Sequence, residues 1–247
     1  MNEHIVIITG AAPLQAELVE AIPPAATLFA VDGGLDHALA AGLEPTRLIG
    51  DLDSVTDDGL AWAARNATIE RHPTDKDRTD TELALSLAAT HDPERITLIG
   101  GGDRLDHTLA GIGALGAADL TSVPELDAWW SGQHVRVIQG PGSAIWRVRA
   151  GSTLSLLALH GACTKVSISG TRWQLDNVDI DPLVGLGVSN EVLAGDHPVD
   201  VEVSLTSGVL TVFDVPAESF GPAPDASSDL VSGTPATNSD PTTEGDL

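Results

Sequence analysis

The chain has 247 residues, with 36 Asp and Glu against 12 Lys and Arg and a formal net charge of −24. An acidic excess of this size argues against a protein that binds nucleic acid through a basic face or docks on an anionic membrane. With 42% hydrophobic residues the chain can fill a core, which excludes wholesale disorder.

Met1-Asn2-Glu3-His4 runs straight into Ile5-Val6-Ile7-Ile8, with no basic n-region or long h-region of a signal peptide. No apolar run approaches the roughly 18 residues that span a bilayer. The lone cysteine, Cys163, cannot form an internal disulfide, so a reducing, cytoplasmic setting is expected. Ile5–Ile8 reads as a strand ending at Thr9-Gly10, followed by a helix over Leu14–Ile22 and the stop Pro23-Pro24. Thr27–Val31, Arg47–Ile49, Thr68–Glu70 and Ile96–Ile99 are further short apolar runs. Continuous runs of this kind suit strands buried on both faces. Between them Leu35–Ala41, Leu60–Arg65, Leu83–Ala89 and Leu109–Ala118 have helical spacing, the pattern of a parallel sheet with crossover helices.

From about residue 130 the texture changes. His134–Ile138, Ala144–Val148, Thr153–Leu159, Lys165–Ser169, Val199–Leu205 and Val209–Val212 are β-branched or alternating and separated by Gly, Pro, Asp and Asn turns. They predict an antiparallel sandwich or barrel, with residues 123–133 as the junction. The expected organisation is α/β: a parallel-sheet, Rossmann-like domain over 1–128, an antiparallel β domain over 129–214, and a disordered acidic tail over 215–247. The tail holds Glu218, Asp225, Asp229, Asp240, Glu244 and Asp246 and no Lys or Arg.

Three polar turns fall at the carboxyl ends of the predicted strands, the edge where open α/β sheets bind ligands. The first is Gly50-Asp51-Leu52-Asp53-Ser54. Mg²⁺ takes one or two carboxylates plus substrate phosphate oxygens, which Asp51 and Asp53 could supply. An Asp-rich turn before a helix uses the same residues. The second is Thr74-Asp75-Lys76-Asp77-Arg78-Thr79-Asp80-Thr81-Glu82. Thr79 and Glu82 form a capping-box pattern, so a helix should begin here with free N–H groups. Lys76 and Arg78 beside Asp residues could hold phosphate and metal together, or the run could be a solvated loop. The third is Gly100-Gly101-Gly102-Asp103-Arg104-Leu105-Asp106-His107. Its glycines permit close backbone approach, Arg104 offers a planar donor fork, and Asp106 or His107 could serve as acid, base or positioning group. The plainer reading is a Gly turn with an Asp103–His107 pair. Together the three turns ask for a metal and a phosphate, the inventory of phosphoryl-type transfer.

These motifs, with Asp32-Gly33-Gly34 before them, resemble those of the thiamine pyrophosphokinase family. That pattern runs Asp-Gly-Gly, Gly-Asp-Phe-Asp-Ser, Asp-x-Asp-x-Thr-Asp and Gly-Gly-Arg-x-Asp-His. Here Leu52 takes the Phe place and Asp103 is inserted before Arg104. Gly170-Thr171-Arg172-Trp173-Gln174-Leu175 and Gly187-Val188-Ser189-Asn190-Glu191 are similar to two stretches of its second domain. The resemblance covers roughly residues 4–214, and implies that 1–128 is an α/β ATP-binding domain and 129–214 a β-sandwich thiamine-binding domain. It implies a homodimer that transfers the pyrophosphoryl group of ATP to the hydroxyl of thiamine with Mg²⁺ and releases AMP, with the active site near the interface.

By position, Asp51, Asp53 and Asp80 would be the metal and phosphate-side carboxylates, with Arg104 and Asp106 completing the catalytic set. Asp32, Gly33, Gly34, Lys76, Asp77 and Thr79 would surround the nucleotide. Asp106, Trp173, Ser189 and Asn190 would bind thiamine, a Trp face suiting a cationic thiazolium. Trp173 could instead be a half-buried strand aromatic. Two departures stand out: Leu35-Asp36 where Asn is usual, adding a charge near the nucleotide, and Gly111 where Asn is common. Two other readings use the same residues. One is a diphosphokinase for another hydroxymethyl heterocycle such as a pterin; the other is a non-catalytic nucleotide- or cation-binding regulator.

Overall fold

The computed structural model describes residues 3–102 and 104–215, so Asp103 and all of the acidic tail beyond Val215 lie outside the described residues. The apolar runs become five parallel strands: β1 (His4–Ile8), β2 (Thr27–Val31), β3 (Arg47–Gly50), β4 (Thr68–Arg71) and β5 (Arg95–Gly100). The crossover helices are α1 (Ala16–Ala21), α2 (Gly34–Ala40), α3 (Asp57–Asn66), α4 (Asp80–Ala89) and, after β5, α5 (Leu105–Ala114). Successive strand residues face opposite sides. Ile5 and Ile7 pack with α4 and α5, while Val6 and Ile8 lie on the face that carries α1 and α2. The central strands are therefore covered on both sides, which is why they read as unbroken apolar runs. α1 is shorter than the predicted Leu14–Ile22 helix; Gln15 is its N-cap and makes no side-chain capping bond.

The stretch 123–133, expected as a junction, contains a sixth strand, β6 (Glu125–Trp130), parallel to β5. It is also the seam, because β7 (Gln133–Gln139) pairs with it antiparallel. The remaining strands are β8 (Gly142–Val148), β9 (Thr153–Leu157), β10 (Cys163–Ser169), β11 (Leu175–Ile180), β12 (Gly187–Glu191), β13 (Val199–Leu205) and β14 (Val209–Val215). One sheet of ten strands runs β12-β9-β14-β7-β6-β5-β1-β2-β3-β4. A second, of order β11-β10-β13-β8, packs on its antiparallel half around Trp146, Leu154, Val166, Val203 and Val212. The expected sandwich is present, and it shares one of its two sheets with the α/β half. Among the described residues, no helix is long and apolar enough to cross a membrane.

A polar network lies at the seam. Buried Asp127 on β6 pairs with Arg95, accepts from the Thr97 hydroxyl at 2.6 Å and meets His134 Nε2 at 2.8 Å. Burial alone would raise its carboxyl; the His134 and Arg95 hydrogen bonds overcome this and bring it from 3.8 to about 2. A carboxyl depressed in the folded state stabilises above its unfolded value and loses that stabilisation as pH falls through the folded one. Wild-type stability should therefore fall between pH 3.8 and about 2 partly because of this group. Asp127→Asn takes the close charged partner from Arg95, leaving it Glu125 at 3.8 Å, and should cost about 3 kcal/mol at neutral pH. Its acid slope, measured by chemical denaturation, should be shallower; an unchanged slope would contradict the assignment.

Candidate active site

The carboxyl ends of β1, β2, β3 and β5 open on a cavity of about 710 Å³. The strand order reverses between β5 and β1, the switch point at which α/β sheets leave a crevice. Of the sequence-predicted residues, Asp32, Asp51, Lys76, Asp77, Thr79, Asp80 and Arg104 line it. Gly33, Gly34, Asp53, Asp106, Trp173, Ser189 and Asn190 are outside that lining.

Asp32 follows β2 with φ 46°, and its Oδ1 accepts from the Leu52 N–H at 3.1 Å. Leu52 itself has φ 70° and Gly50 φ 145°, so the β3 turn is held in backbone conformations that side chains disfavour. The glycine is required, because a Cβ on Gly50 would stand 1.7 Å from Asp32 Oδ1. Burial is the main cause that raises the Asp32 carboxyl to about 6; the nearby Asp80, Asp51 and Asp53 charges add to it. Asp51 is held below the ordinary carboxylate range, chiefly by the Asp53 backbone N–H, 3.2 Å from its Oδ1. Gly33 donates its N–H to the Ser54 hydroxyl at 3.1 Å. Gly34 has a packing reason, since a Cβ there would lie 2.2 Å from the Ile8 carbonyl oxygen.

The loop before α4 forms the opposite wall. The capping box is present: Glu82 N–H donates to Thr79 Oγ1 at 3.2 Å, and Thr79 N–H to Glu82 Oε2 at 2.8 Å. Asp80, the first residue of α4, places Oδ2 3.0 Å from Lys76 Nζ. Its Oδ1 is buried with no hydrogen-bond partner. Arg104 and Asp106 grip each other, with Nη2 and Oδ2 2.5 Å apart, and the hydrogen bonds from Arg104 hold the Asp106 carboxyl at about 2.

The donor set fits a magnesium ion. Asp51 and Asp80 offer hard oxygens on one cavity, one of them buried without a partner. Among the described residues no three His, Cys, Asp or Glu side chains are placed to hold a metal by themselves. Mg²⁺ does not need them, because it commonly takes one or two carboxylates and completes its shell with water and phosphate oxygens.

Two wall elements lie outside the sequence motifs. Thr9, Gly10 and Ala11 after β1 line the cavity, as does Trp130 at the end of β6. Their position at the ends of central strands was the available signal. Trp130 also accounts for Gly111, where a Cβ would stand 2.6 Å from the indole Cη2. Asp36, expected to add charge near the nucleotide, is directed elsewhere: it accepts from the Thr56 N–H at 2.9 Å and hydroxyl at 2.6 Å, at the start of α3.

Trp173, Ser189 and Asn190 gather at a second place. Asn190 is 5% exposed, and its amide is engaged by the Trp173 backbone: Oδ1 accepts from Trp173 N–H at 3.1 Å and Nδ2 donates to Trp173 O at 2.6 Å. That fixes a Trp residue that is 52% exposed, with the Arg172 guanidinium 4.6 Å from its ring centroid. Ser189, at φ 59°, donates its N–H to Ser155 Oγ at 3.0 Å.

Comparison with known proteins matches both halves. The thiamin pyrophosphokinase catalytic domain model covers residues 19–123, and the thiamin pyrophosphokinase vitamin B1 binding domain model covers residues 144–210. The thiamine pyrophosphokinase of Bacillus subtilis (strain 168) is 26% identical over 165 residues, 66% of this chain and 77% of its own length. A crystal structure of the Bacillus subtilis enzyme superposes with TM-score 0.74 at 24% identity, covering 86% of this chain and 99% of that one. Thiamin pyrophosphokinase from Candida albicans gives TM-score 0.69 at 13% identity, covering 87% and 90%. Matched in order through both domains and sharing the fold, the chain belongs to the thiamine pyrophosphokinase family, enzymes that form thiamine diphosphate by pyrophosphoryl transfer.

Proposed function

We propose that this protein transfers the pyrophosphoryl group of ATP to the hydroxyl of thiamine in a Mg²⁺-dependent reaction. The observation that carries the reading is the convergence of Asp51, Lys76 and Asp80 with the N-terminus of α4 on one cavity. The hydroxyl oxygen of thiamine attacks the β-phosphorus, the bond from that phosphorus to the α-phosphate bridging oxygen breaks, AMP leaves, and the hydroxyl proton passes to solvent. Asp51 and Asp80 would hold the magnesium ion, with Asp53 supporting the turn. When bound, that ion neutralises charge on the phosphate oxygens. Lys76 and the first N–H groups of α4 bind phosphate oxygens, and Asp32, Gly33, Gly34, Asp77 and Thr79 shape the nucleotide end. Arg104 faces the phosphates, and Asp106 orients the acceptor hydroxyl. An Asp106 carboxyl at about 2 is a poor base at neutral pH, so positioning is the role we give it.

In this reading residues 1–128 handle ATP and residues 129–214 handle thiamine, with Trp173 facing the thiazolium. We further propose a cytoplasmic homodimer. The Trp173 group is outside the lining of the acidic cavity, and exposed apolar side chains flank both places: Leu105 and Leu109 on α5, and Leu183, Val184, Leu186 and Val188 before and on β12. A second copy would cover them and put the active site near the interface.

Thiamine is favoured over a pterin because an electron-rich Trp face recognises a cation. With MgATP and either thiamine or 6-hydroxymethylpterin as acceptor, AMP release should require thiamine. AMP formed at equal rates with the pterin would overturn the acceptor assignment, and no AMP with either would favour a non-catalytic regulator.

A further inference from the structure

The loop between β4 and α4 carries much of the phosphate-side machinery, and its central cation is restrained. Arg78 lies on the cavity wall, yet its Nη2 is 3.1 Å from Asp119 Oδ2 and 2.5 Å from Ser86 Oγ, with the Glu82 carbonyl at 3.4 Å. The Ser86 hydroxyl also meets the same Asp119 oxygen. Asp119 belongs to a short 3₁₀ turn, Ala118–Leu120, whose Leu120 is 1% exposed and whose carbonyl accepts from the Gln139 side chain at 3.3 Å. The carboxylate is thus fixed to the core, and Arg78 is fixed to the carboxylate. The Ser86 hydroxyl first, and Arg78 second, hold the Asp119 carboxyl below its ordinary range, so it is charged at neutral pH.

The pair is 42% exposed on each side chain, and such pairs contribute little to stability. Its consequence is geometric. Arg78 is two residues after Lys76, immediately before the N-cap Thr79 and two before Asp80. Anchoring its guanidinium anchors the stretch of backbone from which all three project, before any ligand arrives.

We propose that Asp119 is a positioning residue for the transfer reaction: acting through Arg78, with Ser86 as second support, it preorganises the Lys76–Asp80 loop to receive the phosphates of MgATP. The inference rests on the ATP reading above. The test is titration of the full-length protein with MgATP in the absence of thiamine, comparing wild type with Asp119→Asn, Asp119→Glu, Arg78→Ala and the Arg78→Ala/Asp119→Asn double variant. Asp119→Asn should weaken binding about fivefold or more, and the double variant should bind no more weakly than Arg78→Ala alone. Asp119→Glu should recover most of the affinity, and thermal midpoints without nucleotide should stay close to wild type. Wild-type affinity in Asp119→Asn, losses that multiply in the double variant, or no recovery with Glu would each overturn the proposal. Failure of the wild-type protein to bind MgATP would instead overturn the ATP reading, and this inference with it.

Discussion

Asp80→Asn should lower turnover about a hundredfold or more, a loss near 3 kcal/mol of transition-state stabilisation, with the fold retained. Among the cavity-lining residues described, Asp80 has a buried carboxylate oxygen, Oδ1, without a hydrogen bond, and its Oδ2 is 3.0 Å from Lys76 Nζ. A buried carboxylate oxygen left unpaired is costly, and a cation carried in with the substrate would satisfy it. The amide keeps the shape and loses the charge. α4 should still form, because its capping box uses Thr79 and Glu82. The far-ultraviolet circular dichroism spectrum and the thermal midpoint should therefore stay near those of wild type while kcat falls. Wild-type turnover in Asp80→Asn would remove this carboxylate from the phosphate side of the reaction.

Gly50→Ala should be nearly as damaging, through sterics rather than charge. The new methyl would stand 1.7 Å from Asp32 Oδ1, at a residue whose φ of 145° already disfavours a side chain. Asp32 would have to swing away, giving up its bond to the Leu52 N–H and disturbing the turn that carries Asp51 and Asp53. A stability loss of about 3 kcal/mol is expected from overpacking plus backbone strain. Activity should fall at least tenfold. Asp32→Ala in the same chain clears the clash, so the double variant should regain part of the stability and none of the activity. A Gly50→Ala protein with wild-type melting temperature and turnover would mean the turn is pliant and the Gly50–Asp32 contact unimportant.

Much of this site is legible in the sequence because strand ends, glycines and capping residues are local signals. The Ile5–Ile8 and Ile96–Ile99 runs report burial on both faces, and Thr79 with Glu82 reports the start of α4. Pairing choices are not local. Alternation in β7 and β14 says that they are strands, and nothing in it says that they extend the sheet of β1 to β6. Residues 123–133 therefore read only as a junction, although they contain a strand whose last residue, Trp130, walls the cavity. Side-chain partners chosen across the fold are equally invisible. Asp36 is bound to Thr56, and Arg78 to Asp119 forty-one residues away, so neither cation nor carboxylate is as free as its motif implies. The family resemblance places Asn190 in the thiamine pocket, and nothing local in the sequence tells that its amide is engaged by the Trp173 backbone. Gly34 and Gly111 show the converse: each fits a motif or departs from one, and each is explained by what a Cβ would strike.

In the proposed reaction an intact pyrophosphoryl group moves from a nucleotide at the Asp51–Asp80 edge to the acceptor. Incubation with thiamine and MgATP labelled either at the α- or the β-phosphate tests it most directly. The β-label should appear in thiamine diphosphate and the α-label in AMP, in equal amounts. The β-label in ADP, with thiamine monophosphate as the product, would contradict it.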